Sequence, residues 1–275
     1  MITLVVLLTV SVFLVLLTRA NESYFHTFAY SQTTGAAITN IAINGVPDSI
    51  LTLSTATTFL TPAQAKLVMS MTQGVTATRS RLNIPSLRYV GLPSMTPINT
   101  GAAVSSPLNI WNMLDNPIDL PKVEPISVEG TDTAIDTISV VLWAMLNFTP
   151  VPPGKKYRVR GTAAIAGVIN TWQNGTITLD QVLPQGQYAL VGMDVVAANV
   201  LAARLIFAGT GYRPGCPARN SVSSVMHPAF TDGRLGCYGK FENANVPNLE
   251  ILLGAGGASA AQEVFIDLIR LGDVN

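Results

Sequence analysis

The chain has 275 residues and a formal net charge of zero, and only 12% of its residues are charged, against about 25% in an ordinary soluble protein. Disordered chains combine high charge with few apolar residues, so a chain that is 48% hydrophobic is not one of them. Zero net charge provides no overall field to attract nucleic acid, and two cysteines are too few for a disulfide scaffold.

Residues 1–18 contain no charged side chain and predict a membrane-spanning helix. At about 1.5 Å per residue this helix would span about 27 Å, close to the bilayer core of about 30 Å. A secretory signal peptide is the alternative, because Thr18-Arg19-Ala20 is a tolerable cleavage site; a buried core helix is another. No basic residue precedes the run, however, and the run exceeds the usual length of a signal core. We predict an anchor helix over 1–20, with the membrane-anchor side chains Leu4, Leu7, Leu8, Phe13, Leu14, Leu16 and Leu17.

Residues 21–59 have the composition of β-strands. Two runs rich in β-branched residues, 36–43 and 50–59, are separated by the turn-forming cluster Asn44-Gly-Val-Pro-Asp48. Such a pattern predicts a hairpin.

Residues 61–73 predict one short helix. Thr61 is a suitable N-cap, Pro62 stands where a missing N–H costs nothing, and Gly74 follows as a left-handed exit. Leu67, Val68 and Met71 would form a narrow apolar stripe lying on a sheet edge.

The segment 79–125 is rich in proline, which forbids a long helix or a central strand. It also carries many apolar side chains, so we predict an extended arm laid over a core or a neighbouring subunit. Its prolines are Pro85, Pro93, Pro97, Pro107, Pro117, Pro121 and Pro125.

From residue 126 onward the β pattern returns, with Gly, Pro and Asn about every ten residues, which is typical of an all-β sandwich or barrel. The break at 150–154 divides a first β region, 21–150, from a second, 151–275. The predicted strands are 126–128, 134–146, 157–165, 175–179, 187–196, 202–207, 249–253 and 262–270.

The motifs of common catalytic sites are absent from the sequence. It has no phosphate-binding or dinucleotide-binding glycine loop and no G-x-S-x-G. His26 and His227 are too few for a metal site, and Cys216 and Cys237 predict two buried thiols, with one disulfide left open. A nucleophilic cysteine beside His227 is disfavoured because both cysteines neighbour turn glycines. We therefore predict no enzyme activity, no metal and no cofactor.

One cationic stretch stands out: Lys155, Lys156, Arg158 and Arg160. On a strand, alternation places Lys156, Arg158 and Arg160 on one face and Tyr157 and Val159 on the other. We identify these four cations as a candidate phosphate or headgroup contact, either with lipid or with a packaged genome. The alternative is a solvated face whose cations pair with carboxylates of a neighbouring strand or subunit.

Several phrases of the sequence resemble major capsid proteins of tailless icosahedral viruses that carry an internal membrane. They are LNIPSLRYVGLPSMTP (82–97), LPQGQYALVG (183–192), AARLIF (202–207), YRPG (212–215) and LGCYGKF (235–241). The resemblance implies upright jelly rolls, trimeric capsomers of identical copies beside other capsid proteins, and a terminal segment facing the membrane. It also implies a virion protein assembled in the host cytoplasm at a membrane.

The sparse charge independently favours a subunit whose surface is covered by neighbours. We therefore predict an all-β jelly-roll structural protein, with two small jelly rolls favoured over one, and with itself and a lipid membrane as partners; the zero net charge does not support a nucleic acid partner. The rival class is a membrane-tethered or secreted β-sandwich binding domain. Such a domain would present aromatic platforms, whereas the three tryptophans, Trp111, Trp143 and Trp172, suit a core or a turn.

Overall fold

A computed structural model describes residues 25–43, 52–61, 63–87, 94–100, 109–254 and 261–272. Across these ranges, no helix is both long enough and apolar enough to cross a membrane. The anchor helix predicted over 1–20 lies outside the described residues. So do its side chains Leu4, Leu7, Leu8, Phe13, Leu14, Leu16 and Leu17.

The first half of the described chain consists of short strands and one 3-10 helix. They are Phe25–Thr34 (β1), Thr39–Asn40 (β2), Thr52–Thr55 (β3), Thr58–Leu60 (β4), Ala65–Gly74 (β5), Ala77–Asn83 (β6), the 3-10 helix Pro85–Leu87, Ser94–Met95 (β7), Ile98–Thr100 (β8), Trp111–Asn112 (β9), Ile118–Leu120 (β10), Pro125–Asp132 (β11) and Asp136–Met145 (β12). One sheet has the order β1-β12-β5-β10, with β8 and β9 also beside β5. The second has the order β3-β4-β11-β6-β7, with β2 beside β11.

The second half is built in the same way. Its elements are Lys156–Ala163 (β13), Trp172–Gly175 (β14), Thr178–Leu179 (β15), Gln187–Val196 (β16), Val200–Ile206 (β17), Gly215–Arg219 (β18), the 3-10 helix Pro228–Phe230, Gly239–Glu242 (β19), Asn248–Leu253 (β20) and Gln262–Gly272 (β21). The strands follow the order β14-β20-β17-β18-β16-β21-β13-β15, and β19 also pairs with β16. Strand β18 belongs to both layers, because it pairs with β17 and, in parallel, with the end of β16.

The two halves repeat one topology. Without the additional strands β2, β3, β8, β9 and β15, each half has eight main strands in two four-stranded layers. One layer has the order first-eighth-third-sixth (β1-β12-β5-β10 and β13-β21-β16-β19). The other has the order second-seventh-fourth-fifth (β4-β11-β6-β7 and β14-β20-β17-β18). The all-β sandwich that the sequence predicts is confirmed.

The sheet that contains β1, β12 and β5 is buried on both faces. On one face Phe28, Tyr30 and Leu142 enter the core of the first half. On the other face Phe25 and Trp143 pack against the second half, with ring centroids 5.3 Å from Tyr238 and 5.3 Å from Phe230. The backbone N–H of Thr27 donates to the carbonyl of Arg213 at 2.8 Å. The halves therefore share a buried apolar interface, and Phe25 and Trp143 belong to the same hydrophobic cluster as the core of the second half.

The helix predicted over 61–73 is wrong, because Ala65–Gly74 is the strand β5. From Leu67 to Gly74 every residue is buried, since β5 lies in the sheet that is covered on both faces. A strand of this kind has no alternation of apolar and polar residues, and periodicity alone does not separate it from a buried helix.

Three other segments differ from the prediction. Strand β2 pairs with β11, and β3 pairs with β4, so within the described residues the runs 36–43 and 50–59 do not form the predicted strand pair. One backbone bond joins them, from the N–H of Ile43 to the carbonyl of Ala56 at 3.0 Å, and the turn 44–48 lies outside the described residues. The proline-rich segment contributes short strands to both sheets, with β8, β9 and β10 arranged in turn along one edge of β5. Residues 213–218, whose two prolines and glycine indicate a turn, contain most of β18.

Candidate functional site

The basic stretch lies at the start of β13. Val159 is buried in the core of the second half, while Lys156, Arg158 and Arg160 are exposed on the opposite face, as alternation predicts. Tyr157 is also exposed, and the Nζ atom of Lys155 lies 5.4 Å from the centre of its ring.

Carboxylates of other strands and turns stand beside three of these cations. The Nζ atom of Lys156 lies 3.8 Å from Oδ2 of Asp267, and Nη2 of Arg158 lies 3.3 Å from Oδ2 of Asp194. Arg160 contacts Asp180 and Glu263. This is the pairing that the sequence left open as the alternative. A phosphate or headgroup contact at Lys155, Lys156, Arg158 and Arg160 stays a prediction.

Asp194 is the centre of this network, and its carboxylate is almost fully buried. Arg219 holds it in a fork, with Nε 2.8 Å from Oδ1 and Nη2 2.6 Å from Oδ2. The Nη1 atom of Arg219 also donates to the carbonyls of Val222 at 2.9 Å and Ser224 at 2.7 Å. Paired and hydrogen-bonded in this way, the buried charges fix the loop after β18 onto the sheet.

A pH dependence is expected from Asp267. Burial raises the pKa of this carboxyl, Arg158 and Lys156 oppose the rise, and Asp194 adds to it. The folded chain then binds the proton more tightly than the unfolded chain. The contribution of Asp267 to the free energy of unfolding therefore falls as pH rises from the ordinary Asp pKa, about 3.9, through the raised folded pKa.

We expect the wild-type chain to gain stability relative to Asp267→Asn when the pH is lowered from 7 to 4.5, as measured by urea unfolding of both proteins. Glu263→Gln, a change on the exposed face of the same strand, is the matched control. A wild-type chain that loses stability relative to Asp267→Asn over this range would contradict the assignment.

Cys216 and His227 line one small cavity of about 100 Å³, together with Asp194, Arg219 and Phe230. Burial raises the pKa of the Cys216 thiol well above its ordinary value and lowers the pKa of His227. A nucleophilic cysteine requires a thiolate, stabilised by a neighbouring cation. Both shifts favour the neutral forms, so this pair is not arranged for nucleophilic attack. The prediction of buried free thiols is confirmed for Cys216 and Cys237.

Among the described residues, no three His, Cys, Asp or Glu side chains come together as a set that could hold a metal ion.

Sequence reasoning found the cations of this network but missed Asp194, Asp267 and Arg219. A signal for the two aspartates was present, because each is a single acidic residue inside an otherwise apolar run, MDVV and FIDLI. A lone carboxylate in a buried strand requires a charged or hydrogen-bonding partner. The alternating cations of β13 were the nearest candidates.

The comparisons with known proteins give little. No family model matches the chain, and no curated protein matches it. Among solved structures, the chain is similar to the major capsid protein P2 of bacteriophage PM2, with 12% sequence identity, coverage of 92% of this chain and 99% of that chain, and a TM-score of 0.25. A likeness at that identity and that score does not indicate a shared role.

Proposed function

We propose that the chain is a coat subunit of a virus particle, a double jelly roll that assembles with copies of itself and reaches a lipid membrane through its N-terminal apolar segment. The observation that carries the proposal is the strand order found in both halves. Two layers in the orders first-eighth-third-sixth and second-seventh-fourth-fifth form the two Greek keys of a jelly roll, an architecture of viral capsid domains, lectins and cupins.

A fold alone does not determine a function, and the surface of the chain supports the choice among these classes. Large apolar side chains are exposed at several separate turns, among them Ile135, Val182 and Val222. Charged residues make up only 12% of the sequence. A surface with so few charges favours a protein that is covered by neighbours in an assembly.

The packing between the halves supports the same proposal. A coat subunit contacts neighbouring subunits on several sides, so its two halves must be held rigidly together. The sheet of β1, β12 and β5 is covered by both halves, and its Trp143 and Phe25 side chains pack against the second half. Trimeric capsomers, location in the virion, and assembly at a host membrane belong to this proposal.

The test is rate-zonal sedimentation of native full-length protein, with negative-stain microscopy and a phospholipid assay on the fast fraction. We expect uniform particles tens of nanometres across that contain lipid. Protein found only as a small detergent-soluble oligomer would favour the rival class, a membrane-tethered binding domain. An isolated monomer at high protein concentration would overturn the proposal.

A further inference from the structure

The turns at the two ends of the molecule differ in their charged residues. We call the end where β1 begins the Phe25 end; it includes the turns 121–124 and 146–155. The opposite end, the Ile135 end, includes the turns 35–38, 75–76, 133–135, 164–171, 197–199 and 220–224. The two halves point the same way, because Ser31 donates to Asn170 near the Ile135 end and the N–H of Cys237 donates to the carbonyl of Thr149 at the Phe25 end.

Among the turns just named, lysines stand beside exposed apolar side chains only at the Phe25 end. The turns just named at the Ile135 end contain no Lys, Arg, Asp or Glu, although Asp132 and Asp136 flank one of them. At the Phe25 end, Lys122 stands beside Val123, which is 56% exposed. Phe148, 52% exposed, and Val151 precede Lys155 in the other turn. Apolar tips next to lysines are the pattern of a surface that enters the headgroup region of a membrane.

The turn that carries Lys122 and Val123 is built at a cost in backbone strain. Val123 has a φ of 65°, a region that β-branched residues rarely adopt. Thr61 holds the turn in place. Its carbonyl accepts from the N–H of Val123 at 2.9 Å, its hydroxyl donates to the carbonyl of Pro121 at 2.5 Å, and the same hydroxyl accepts from the N–H of Glu124 at 2.8 Å. Strain that is held by so many bonds often marks a functional position.

The first described residue after the predicted anchor lies at this same end. Phe25, the first residue of β1, lies opposite Met145 of β12. Met145 lines a cavity of about 630 Å³ together with Lys66, Asp115, Phe148 and Arg234, and the exposed Asp115 pairs with Arg234. Phe25 therefore lies at the same end as Phe148, and the uncharged apolar run 1–18 precedes it in the sequence.

From these observations we propose that Lys122, Val123, Phe148, Val151 and Lys155 form a lipid-contact surface that lies on an anionic bilayer. Phe148 and the two valines enter the boundary between headgroups and acyl chains, and the two lysines meet phosphate groups of the lipid. This inference rests on the proposed coat function and assigns the membrane-facing end of the subunit. It also separates Lys155 from Lys156, Arg158 and Arg160, which face carboxylates.

The experiment places a fluorescent label at four positions of the full-length chain. Val123→Cys and Phe148→Cys report on the proposed surface. Ile135→Cys and Val222→Cys, at positions 85% and 67% exposed, are matched controls at the other end. The native cysteines, Cys216 and Cys237, are buried and leave the added thiol as the reactive one. Each protein is reconstituted with phosphatidylcholine and phosphatidylglycerol vesicles that contain a spin-labelled lipid quencher.

We expect at least threefold quenching at 123 and 148 and none at 135 and 222. Changing both Lys122 and Lys155 to Glu is expected to halve the quenching at 148, or reduce it further, whereas Lys240→Glu, an exposed lysine on β19, leaves it unchanged. Equal quenching at all four positions, or quenching at 135 alone, would overturn the assignment.

The lipid-contact surface and the coat function can fail independently in this experiment. Particles that form while 123 and 148 remain unquenched would overturn the lipid surface alone. Labels at 123 and 148 that become shielded from iodide in lipid-free particles would show a contact between copies, which also overturns it. Quenching at 123 and 148 without any particles would leave the surface standing and overturn the coat function.

Discussion

Replacing Trp143 with alanine is expected to lower the free energy of unfolding by about 3–5 kcal/mol, the usual loss when a large aromatic side chain is removed from a core. Trp143 is fully buried on β12, on the face of the shared sheet that meets the second half. Its ring lies 5.3 Å from that of Phe230, at an interplanar angle of 60°. The cavity would therefore open in the interface, where both halves lose contacts.

Urea unfolding of the purified full-length chain measures this loss. Trp143→Phe is the matched variant: it keeps an aromatic ring and also removes the indole N–H, for which no hydrogen-bond partner is found. We expect it to cost less than half as much as alanine. Phe230→Ala combined with Trp143→Ala should cost less than the sum of the single changes, because the two rings share a contact. A loss below about 1 kcal/mol for Trp143→Ala would contradict the packing described.

Strands β16 and β5 show how far the fold can be predicted from the sequence. Strand β16 is found over Gln187–Val196, the bounds predicted from its apolar run between the turn residues Pro184-Gln-Gly186 and Asn199. Strand β5 is equally apolar but carries helix-like signals at its start, Thr61 and Pro62. Segment 65–74 is a strand because it is buried between two layers of the fold. Burial on both faces depends on tertiary packing, so it cannot be predicted from the local sequence pattern.

Strand β18 shows a second limit. Gly215–Arg219 contains Pro217 and follows Pro214, so its composition indicates a turn. The segment is nevertheless a strand because two neighbours provide its pairing: β17 on one side and the end of β16 on the other. Proline is tolerated where the ladder does not need its N–H.

Only the cations of the ionic network could be predicted from the sequence; their carboxylate partners could not. The alternation of Arg158 and Arg160 follows from the strand period and could be read directly. Their pairing with Asp194 and Glu263 depends on the register of β13 against β21 and of β21 against β16. That register shifts between Leu190 and Gly192, and such an irregularity moves every later residue relative to its neighbour.

The second large effect is expected at Arg204. Its side chain is only 2% exposed, yet it carries a full charge inside the second half. Its Nε atom lies 2.6 Å from Oε2 of Glu250, and its guanidinium lies 4.0 Å from the centre of the Trp172 ring. Its Nη1 atom donates to the carbonyl of Thr27 at 3.0 Å, which connects it to β1 of the first half.

Arg204→Ala should therefore lower the free energy of unfolding by about 3–5 kcal/mol, because it leaves Glu250 without its main partner. Arg160→Ala removes an exposed cation that also contacts two carboxylates, and this matched control should cost far less, because water screens exposed ion pairs. Arg204→Lys should not restore stability, because an ammonium group lacks the planar fork that serves Glu250, Thr27 and Trp172 together.

A third variant separates the cost of the broken pair from that of the lost packing. Arg204→Met with Glu250→Gln removes both charges and keeps most of the buried volume, so we expect it to be more stable than Arg204→Ala in the same urea titration. If Arg204→Ala and Arg160→Ala cost the same, the buried pair contributes no more than an exposed one. In that case the bond from Arg204 to Thr27 would contribute little to holding the halves together, and the apolar contacts of Trp143 and Phe25 would contribute more.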